Sequence, residues 1–491
     1  MRSLLMTEHR EKAMWRAAPW RRAFFTIMRI VFSLVLIFPM LTFGAVDFEP
    51  LAVITMVIVI CAVMVCWRPI QHPRVSFIAG VALVCFIALA LVQYGQSLRF
   101  PNNPWEHPAW AYVRALVGPV DGAASVIPEQ TRADIIVWSP LLTFVVALHL
   151  FNRRREAFLL LSMLSHLVVG VAVISLCQFL FAPMTLGFET KTAYIGSLTG
   201  LYVNRNSAGT FFGMGIVINA GLLVFYLQNS SLGAFARKIF TPDRLTSTEK
   251  TTLALLIGML IEVLALAATQ SRGATASTFL GLMCLAWLFN QRKRSGHRLQ
   301  ARWRRFVLIA SLMLIVTVVV GQEAVYRMGA QSVDQARLCT YASTAQAVRD
   351  NWPLGSGFGS FADVFPAYRS PQCSGIDGIW DAAHNSYLEG ALGLGVVFVA
   401  VLGVALAILG WALVTGLHER RSYRFAPAIG LASLVLVAVH SLIDFSLQIP
   451  GNALFLAALL AGCVTISLGG KTSFEPNADN VEQATWAAHP S

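Results

Sequence analysis

His384 and three arginines are the residues of this chain best suited to chemistry. Arg205 stands in Val203-Asn204-Arg205-Asn206-Ser207, at the start of an apolar run. Arg272 stands in Thr269-Gln270-Ser271-Arg272-Gly273, in a tight turn between two such runs. Arg337 opens a polar helical stretch. A guanidinium donates two parallel hydrogen bonds from a planar fork, which suits phosphate. One arginine at a membrane border can simply snorkel to headgroups. Three on one side, each in a polar or glycine-containing context, favour a shared anion. A histidine titrates close to neutrality and so can act as a general base. Asp381 reads as the N-cap of the helix that follows. That would place His384 in a first turn, where the positive helix end favours neutral imidazole and a nearby anion. The bland alternative is a histidine that only satisfies local backbone. Asn385 and Glu389 follow as supporting residues, Glu389 being the next candidate for the base. His440 and Asp444, four apart, read as a structural hydrogen-bonded pair on one helix face. Asp444 is also placed among the supporting residues. The role of Glu262, within an apolar run, stays open.

The elements that must position these residues are membrane helices. The 491 residues are 56% hydrophobic and 13% charged, with mean hydropathy +0.64. A soluble domain carries roughly a quarter charged residues. Apolar runs of bilayer-spanning length recur along the chain. They predict an all-α integral membrane protein of about 12 transmembrane helices, near 24–43, 50–67, 75–95, 135–151, 156–182, 208–228, 251–270, 273–290, 306–321, 389–416, 426–446 and 452–469. The segment before the first run has no small-residue cleavage site, so that helix is expected to be retained. The regions divide as 1–23, 24–200 (with an outside loop at 96–134), 201–321, 322–388, 389–470 and a polar tail at 471–491.

The net charge of +12 points to orientation rather than to nucleic acid. With the N-terminus inside, 26 of the 37 Lys and Arg fall in inside segments and 10 outside, as the positive-inside rule requires. The outside loops are then 96–134, 183–207 and 322–388. The last, at 67 residues, is large enough for a small substructure. Its Pro353-Leu354-Gly355-Ser356-Gly357-Phe358-Gly359 segment has the wrong spacing for a dinucleotide fingerprint. It reads as a tight turn with close backbone approach. Six cysteines lie in apolar runs. Cys339 and Cys373 lie in the outside loop, where an oxidising compartment would let them form a disulfide. No spacing resembles a zinc site.

Five segments in order carry a resemblance: Val203 to Gly209, Ser271-Arg272-Gly273, Pro353 to Phe361, Ala383-His384-Asn385-Ser386-Tyr387-Leu388-Glu389, and His440 to Pro450. Together they resemble the O-antigen ligase superfamily, which also holds Wzy-type polysaccharide polymerases and protein O-oligosaccharyltransferases. The resemblance implies a glycosyltransferase of the bacterial inner membrane, multi-pass, with its active site at the periplasmic face. The donor would be a glycan on an undecaprenyl-diphosphate carrier, and the acceptor another glycan or lipid A-core. The transfer would be inverting, with no metal or other cofactor. The diphosphate-holding role falls on Arg205, Arg272 and Arg337, and that of the base on His384. The motifs do not separate ligase from polymerase.

Two other classes stay open. A secondary transporter of an anionic substrate would also carry twelve spans, but it predicts two related halves and interrupted helices, and neither is visible in the sequence. A non-catalytic envelope scaffold would not need a histidine and arginines on one face.

Overall fold

The computed structural model describes residues 19–187, 189–227, 245–290, 331–370, 380–420 and 422–469. Among these residues the fold is all-α apart from a two-stranded hairpin pairing Thr185–Leu186 with Glu189–Thr190, and ten helices are long and apolar enough to cross a membrane. They are Trp20–Leu41, Phe48–Val65, Pro73–Gln96, Pro128–Leu150, Arg154–Phe181, Arg205–Leu227, Ser247–Ala268, Arg272–Asn290, Ser386–Glu419 and Pro450–Leu468; Phe425–His440 is a shorter apolar helix. Every expected span has a counterpart here except 306–321, which lies outside the described residues. Helices are the natural solution because a bilayer offers no partner to backbone N–H and C=O groups.

Two helices form the centre. The 450–468 helix is buried at every residue but Ala453 and the 205–227 helix from Ser207 through Leu223, whereas the 386–419 helix is buried at only a few positions near its two ends and lies at the rim. Phe211 meets Phe455 with ring centroids 4.9 Å apart, joining the two central helices. The 205–227 helix is flanked by the 247–268, 272–290 and 425–440 helices. Small residues allow this approach: a Cβ on Gly213 would fall 2.2 Å from Thr278 Oγ1, and one on Gly221 2.2 Å from Ile429 Cγ1. Backbone proximity of this kind drives helix association where no hydrophobic force acts between helices.

The basic segments gather at one end of the bundle. Arg68 donates to the His149 and Leu150 carbonyls, Arg74 pairs with Glu419 at 2.8 Å, and Arg154 and Arg420 both donate to the Gly469 carbonyl. The described residues of 96–134, 183–207, 331–370 and 380–388 gather at the other. There His107 meets Asn351 at 2.6 Å, Val126 N donates to Ser356 O, and Leu198 N donates to Ala268 O. The polar stretch around Arg337 is the helix Gln331–Asp350, so Arg337 lies within it and does not open it. With the helix Phe361–Tyr368 it builds a small second core of Ala336, Ala347, Phe361, Val364, Phe365, Ala383 and Leu392.

One span is interrupted, which the apolar pattern of the sequence hides. Gly395 leaves helical geometry inside the 386–419 helix, with φ 56° and ψ −135°. The glycine-rich turn at 353–359 fills the break. Ser356 N donates to Leu392 O at 2.8 Å, Gly357 N to Gly393 O at 3.1 Å, and Val396 N to Pro353 O at 2.9 Å. The Gln96 amide adds a bond to Gly393 O. The freed backbone groups are therefore satisfied, as interruption of a membrane helix demands. Close approach explains the glycines: a Cβ on Gly355 (φ +79°) would lie 2.6 Å from Gly393 O. The outer piece of the helix, with the residues just before it, is thereby clamped to the large loop.

Candidate active site

Asn206 is the first organising residue. It lies in the first turn of the 205–227 helix, with its backbone N–H bonded to Asn204 Oδ1 at 2.7 Å. Its side chain bridges two other elements. Nδ2 donates to Asp444 Oδ2 at 2.6 Å, and Oδ1 accepts from Ser271 Oγ at 2.8 Å. The motif around Arg205 is thus fastened to the turn that carries Arg272 and to the segment after the 425–440 helix.

Asp444 is 1% exposed. It does not share a helix face with His440, as the four-residue spacing suggests, because the helix stops at His440. The chain then turns to meet the next element: Ser386 N donates to Ser441 O at 3.0 Å, and Asn385 Nδ2 to Leu442 O at 2.9 Å. The two residues bind different partners. His440 Nδ1 meets Thr210 Oγ1 at 2.9 Å, while Asp444 accepts from Asn206 and from Ser446. The His440 tie joins two helices, and the Asp444 tie joins the 205–227 helix to the segment that follows His440. Burial alone would raise the Asp444 carboxyl. The His384 ring, the neighbouring His440 and the hydrogen bonds from Ser446 and Asn206 outweigh it and hold the group below the usual carboxylate range. Asp444 is therefore an anion at neutral pH, and the stability this contributes is lost only as pH falls through its lowered range.

His384 faces that anion. Its Nδ1 lies 3.8 Å from Asp444 Oδ2, beyond hydrogen-bond length but well within charge contact. Nδ1 is buried, while 22% of the side chain is exposed, so the opposite ring edge, with Nε2, is on the open side. Trp380 and Phe445 pack edge-on to the ring at centroid distances of 5.6 and 4.9 Å. The placement differs from the expected one. Asp381 is not the cap: Asn385 is, its side chain accepting from Tyr387 N and Leu388 N, each at 3.0 Å. His384 thus stands just before the helix, not in its first turn. It holds φ +52°, a left-handed conformation that costs a non-glycine residue about 1–2 kcal/mol. Tyr341 on the 331–350 helix secures it, donating its hydroxyl to His384 O at 3.0 Å. Strain held in place by its surroundings is a pointer to function.

The arginines approach from the same side. The Arg205 guanidinium lies 5.5 Å from the centre of the Tyr194 ring, and its NH1 donates to Ser197 Oγ at 3.3 Å. Tyr194 collects the cluster. Burial and the Asp444 charge raise its hydroxyl pKa, while Arg205 and Arg337 oppose this. The charge of Arg337 also reaches His440. The charges of Arg205, Arg337 and Asp444 thus all act on Tyr194, and Asp444 faces His384, at the loop end of the bundle. Arg272 is the first residue of its helix and is exposed. Its neighbours fix the turn against the cluster: Ser271 binds Asn206, and a Cβ on Gly273 would lie 3.2 Å from His440 Nε2. Glu389 sits one turn into its helix. Its Oε2 accepts from Ala383 N at 2.8 Å, which fits a support for the His384 segment. Cys339 is disulfide-bonded, and the six other described cysteines are free. Cys373, its expected partner, lies outside the described residues.

Tyr194, Tyr341, Trp380 and Phe445 went unnoticed in the sequence. Single aromatics in polar loops carry no periodic signal, and only the folded chain brings them together. Asn206 could have been found from its place beside Arg205, since a second amide in that motif has no helical role.

Residues 257–403 match the family model described as O-antigen ligase. No curated protein matches the chain. The matched segment contains Arg272, Arg337, His384, Asn385 and Glu389, while Arg205 and Asp444 lie on either side of it.

Proposed function

We propose, from the premise that this multi-pass membrane protein is a member of the O-antigen ligase superfamily, that it transfers or polymerises glycans from an undecaprenyl-diphosphate carrier at the periplasmic face of the bacterial inner membrane. The observation that carries this reading is the 3.8 Å approach of His384 to the buried Asp444, beside a tyrosine, Tyr194, on which the charges of Arg205 and Arg337 also act. The acceptor is a hydroxyl of another glycan or of lipid A-core.

These positions suit a direct displacement. The acceptor oxygen attacks the anomeric carbon from the face opposite the diphosphate, so the configuration inverts. The new C–O bond forms as the bond to the phosphate oxygen breaks, and that electron pair leaves with the diphosphate. The guanidinium groups of Arg205, Arg272 and Arg337 stabilise the charge that develops there. The acceptor proton passes to His384 on its open edge. Asp444, already an anion, balances the positive charge that arrives on the ring and holds its orientation. The helix that follows His384, capped by Asn385 and tied through Glu389, keeps the base at the rim.

Sidedness is tested directly. A cysteine introduced at exposed Asp121 should react with an impermeant maleimide in intact cells, and one at exposed Ser422 only after lysis, in a Cys66→Ser, Cys177→Ser background. The reverse pattern would place the site in the cytoplasm and remove this function.

A further inference from the structure

The loop at 96–134 carries an apolar face that the rest of the protein leaves uncovered. Ala109–Val117 is a nine-residue helix between Pro108 and Gly118. Trp110 is its buried residue, and the indole N–H donates to Ser125 O at 3.0 Å. On the other side Ala111, Tyr112, Ala115, Leu116 and Val117 are exposed, Tyr112 at 76%, Leu116 at 85% and Val117 at 73%. The tyrosine hydroxyl is the only polar side-chain group on that face. Arg114, the one charged residue of the helix, is turned to Glu106, its NH1 donating to Oε2 at 2.8 Å. No other described helix packs along this one. An apolar patch of this kind, rimmed by paired charges, marks an interaction surface.

Position selects lipid as the occupant. The Arg99 guanidinium lies 4.8 Å from the centre of the Trp110 ring, which sets the helix beside the loop end of the Pro73–Gln96 span. That span turns Val84, Leu91 and Tyr94 outward, at 64%, 64% and 48% exposed, as the lipid side of a membrane helix must. The exposed row continues beyond the span through Leu98 and Phe100 to Trp105, which is 62% exposed. Tyr94, Trp105 and Tyr112 are of the type that gathers at headgroup level, where the ring is in lipid and its polar tip is wet. A second copy of the chain fits less well. A stable protein interface takes roughly 20–30 residues a side, and Trp105 with the exposed helix face offers six.

We propose that the 109–117 helix lies in the plane of the membrane interface at the loop end of the bundle, with Tyr112, Leu116 and Val117 among the lipid chains, as amphipathic helices do. The consequence reaches the candidate site. His107, two residues before the helix, meets Asn351 at 2.6 Å. Asn351 follows the helix Gln331–Asp350, which contains Arg337 and holds the His384 carbonyl through Tyr341. Lipid contact at the 109–117 helix thus sets the height of the Arg337 helix relative to the bilayer surface. The inference does not depend on which substrate the site takes.

The test uses the full chain in phosphatidylcholine nanodiscs, in the Cys66→Ser, Cys177→Ser background. A bimane fluorophore is attached through Leu116→Cys, and through Tyr112→Cys if the first variant does not fold. Emission from the labelled parent without an added cysteine is subtracted. Phosphatidylcholine spin-labelled near the top of its acyl chain is expected to remove most of the emission from this position, and aqueous iodide very little. The same label on Asp121→Cys, an exposed loop position, should show the reverse. Iodide quenching at 116 equal to that at 121, without quenching by the spin-labelled lipid, would overturn the proposal and leave the face in water. Protection from iodide without quenching by the lipid would overturn it in favour of a protein partner.

Discussion

Replacing His384 with glutamine is expected to lower glycan transfer by about 10²–10⁴-fold, the range of a lost general base, while the lipid-linked donor still binds and accumulates in cells. Glutamine keeps a hydrogen-bonding group of similar reach at the rim but cannot take a proton at neutral pH. The position makes the test clean. His384 lies outside the regular helix, its carbonyl is held by Tyr341, and the cap is supplied by Asn385, so the backbone does not depend on the imidazole. The left-handed φ of +52° burdens glutamine as it burdens histidine, so little change in membrane level is expected. Near-normal transfer in this variant would make His384 a positioning residue. Glu389 could then serve as base only if its bond to Ala383 N were given up.

Asp444→Asn is expected to cost up to about 10⁴-fold in kcat with little change in KM for the donor, on the pattern of a carboxylate that orients a catalytic histidine. Its carboxylate lies 3.8 Å from His384 Nδ1 and is anchored by Asn206 and Ser446. An asparagine can still meet those neighbours, but it carries no charge to balance the ring as the proton arrives. The split between kcat and KM separates this role from a structural one. A structural Asp444 would lower protein level and donor binding together, because Asn206 ties the Arg205 segment to it. Equal kcat in Asp444→Asn and wild type would remove the charge-balancing role.

Much of the fold was legible because a bilayer leaves so few options. Runs of spanning length must be helices, and the helices found lie close to the expected bounds except that Pro128–Leu150 starts well before 135 and Phe425–His440 stops short of 446. The break at Gly395 was not legible, since a glycine within an apolar run looks like a packing residue until the 353–359 turn is seen filling the gap. Those glycines did announce themselves, as close approach was the simplest reason for three in five positions. The end of the 425–440 helix was misread for a related reason: an apolar pattern continues through Leu442 and Ile443, while the stop is set by tertiary bonds from Ser386 and Asn385. The cap before the 386–419 helix went to Asn385 rather than Asp381 because only Asn385 is adjacent to the first helical residue. Arg205, Arg337 and His384 could be named from residue type and the side of the membrane, but Asp444 as the anion facing His384 required the folded chain.

The most direct test of the central claim is a reconstituted transfer reaction with purified protein, a defined glycan on undecaprenyl diphosphate and a glycan acceptor. The account predicts one undecaprenyl diphosphate released for each glycosidic bond formed, with the anomeric configuration inverted. Bond formation with retained configuration, or with no release of undecaprenyl diphosphate, would contradict it.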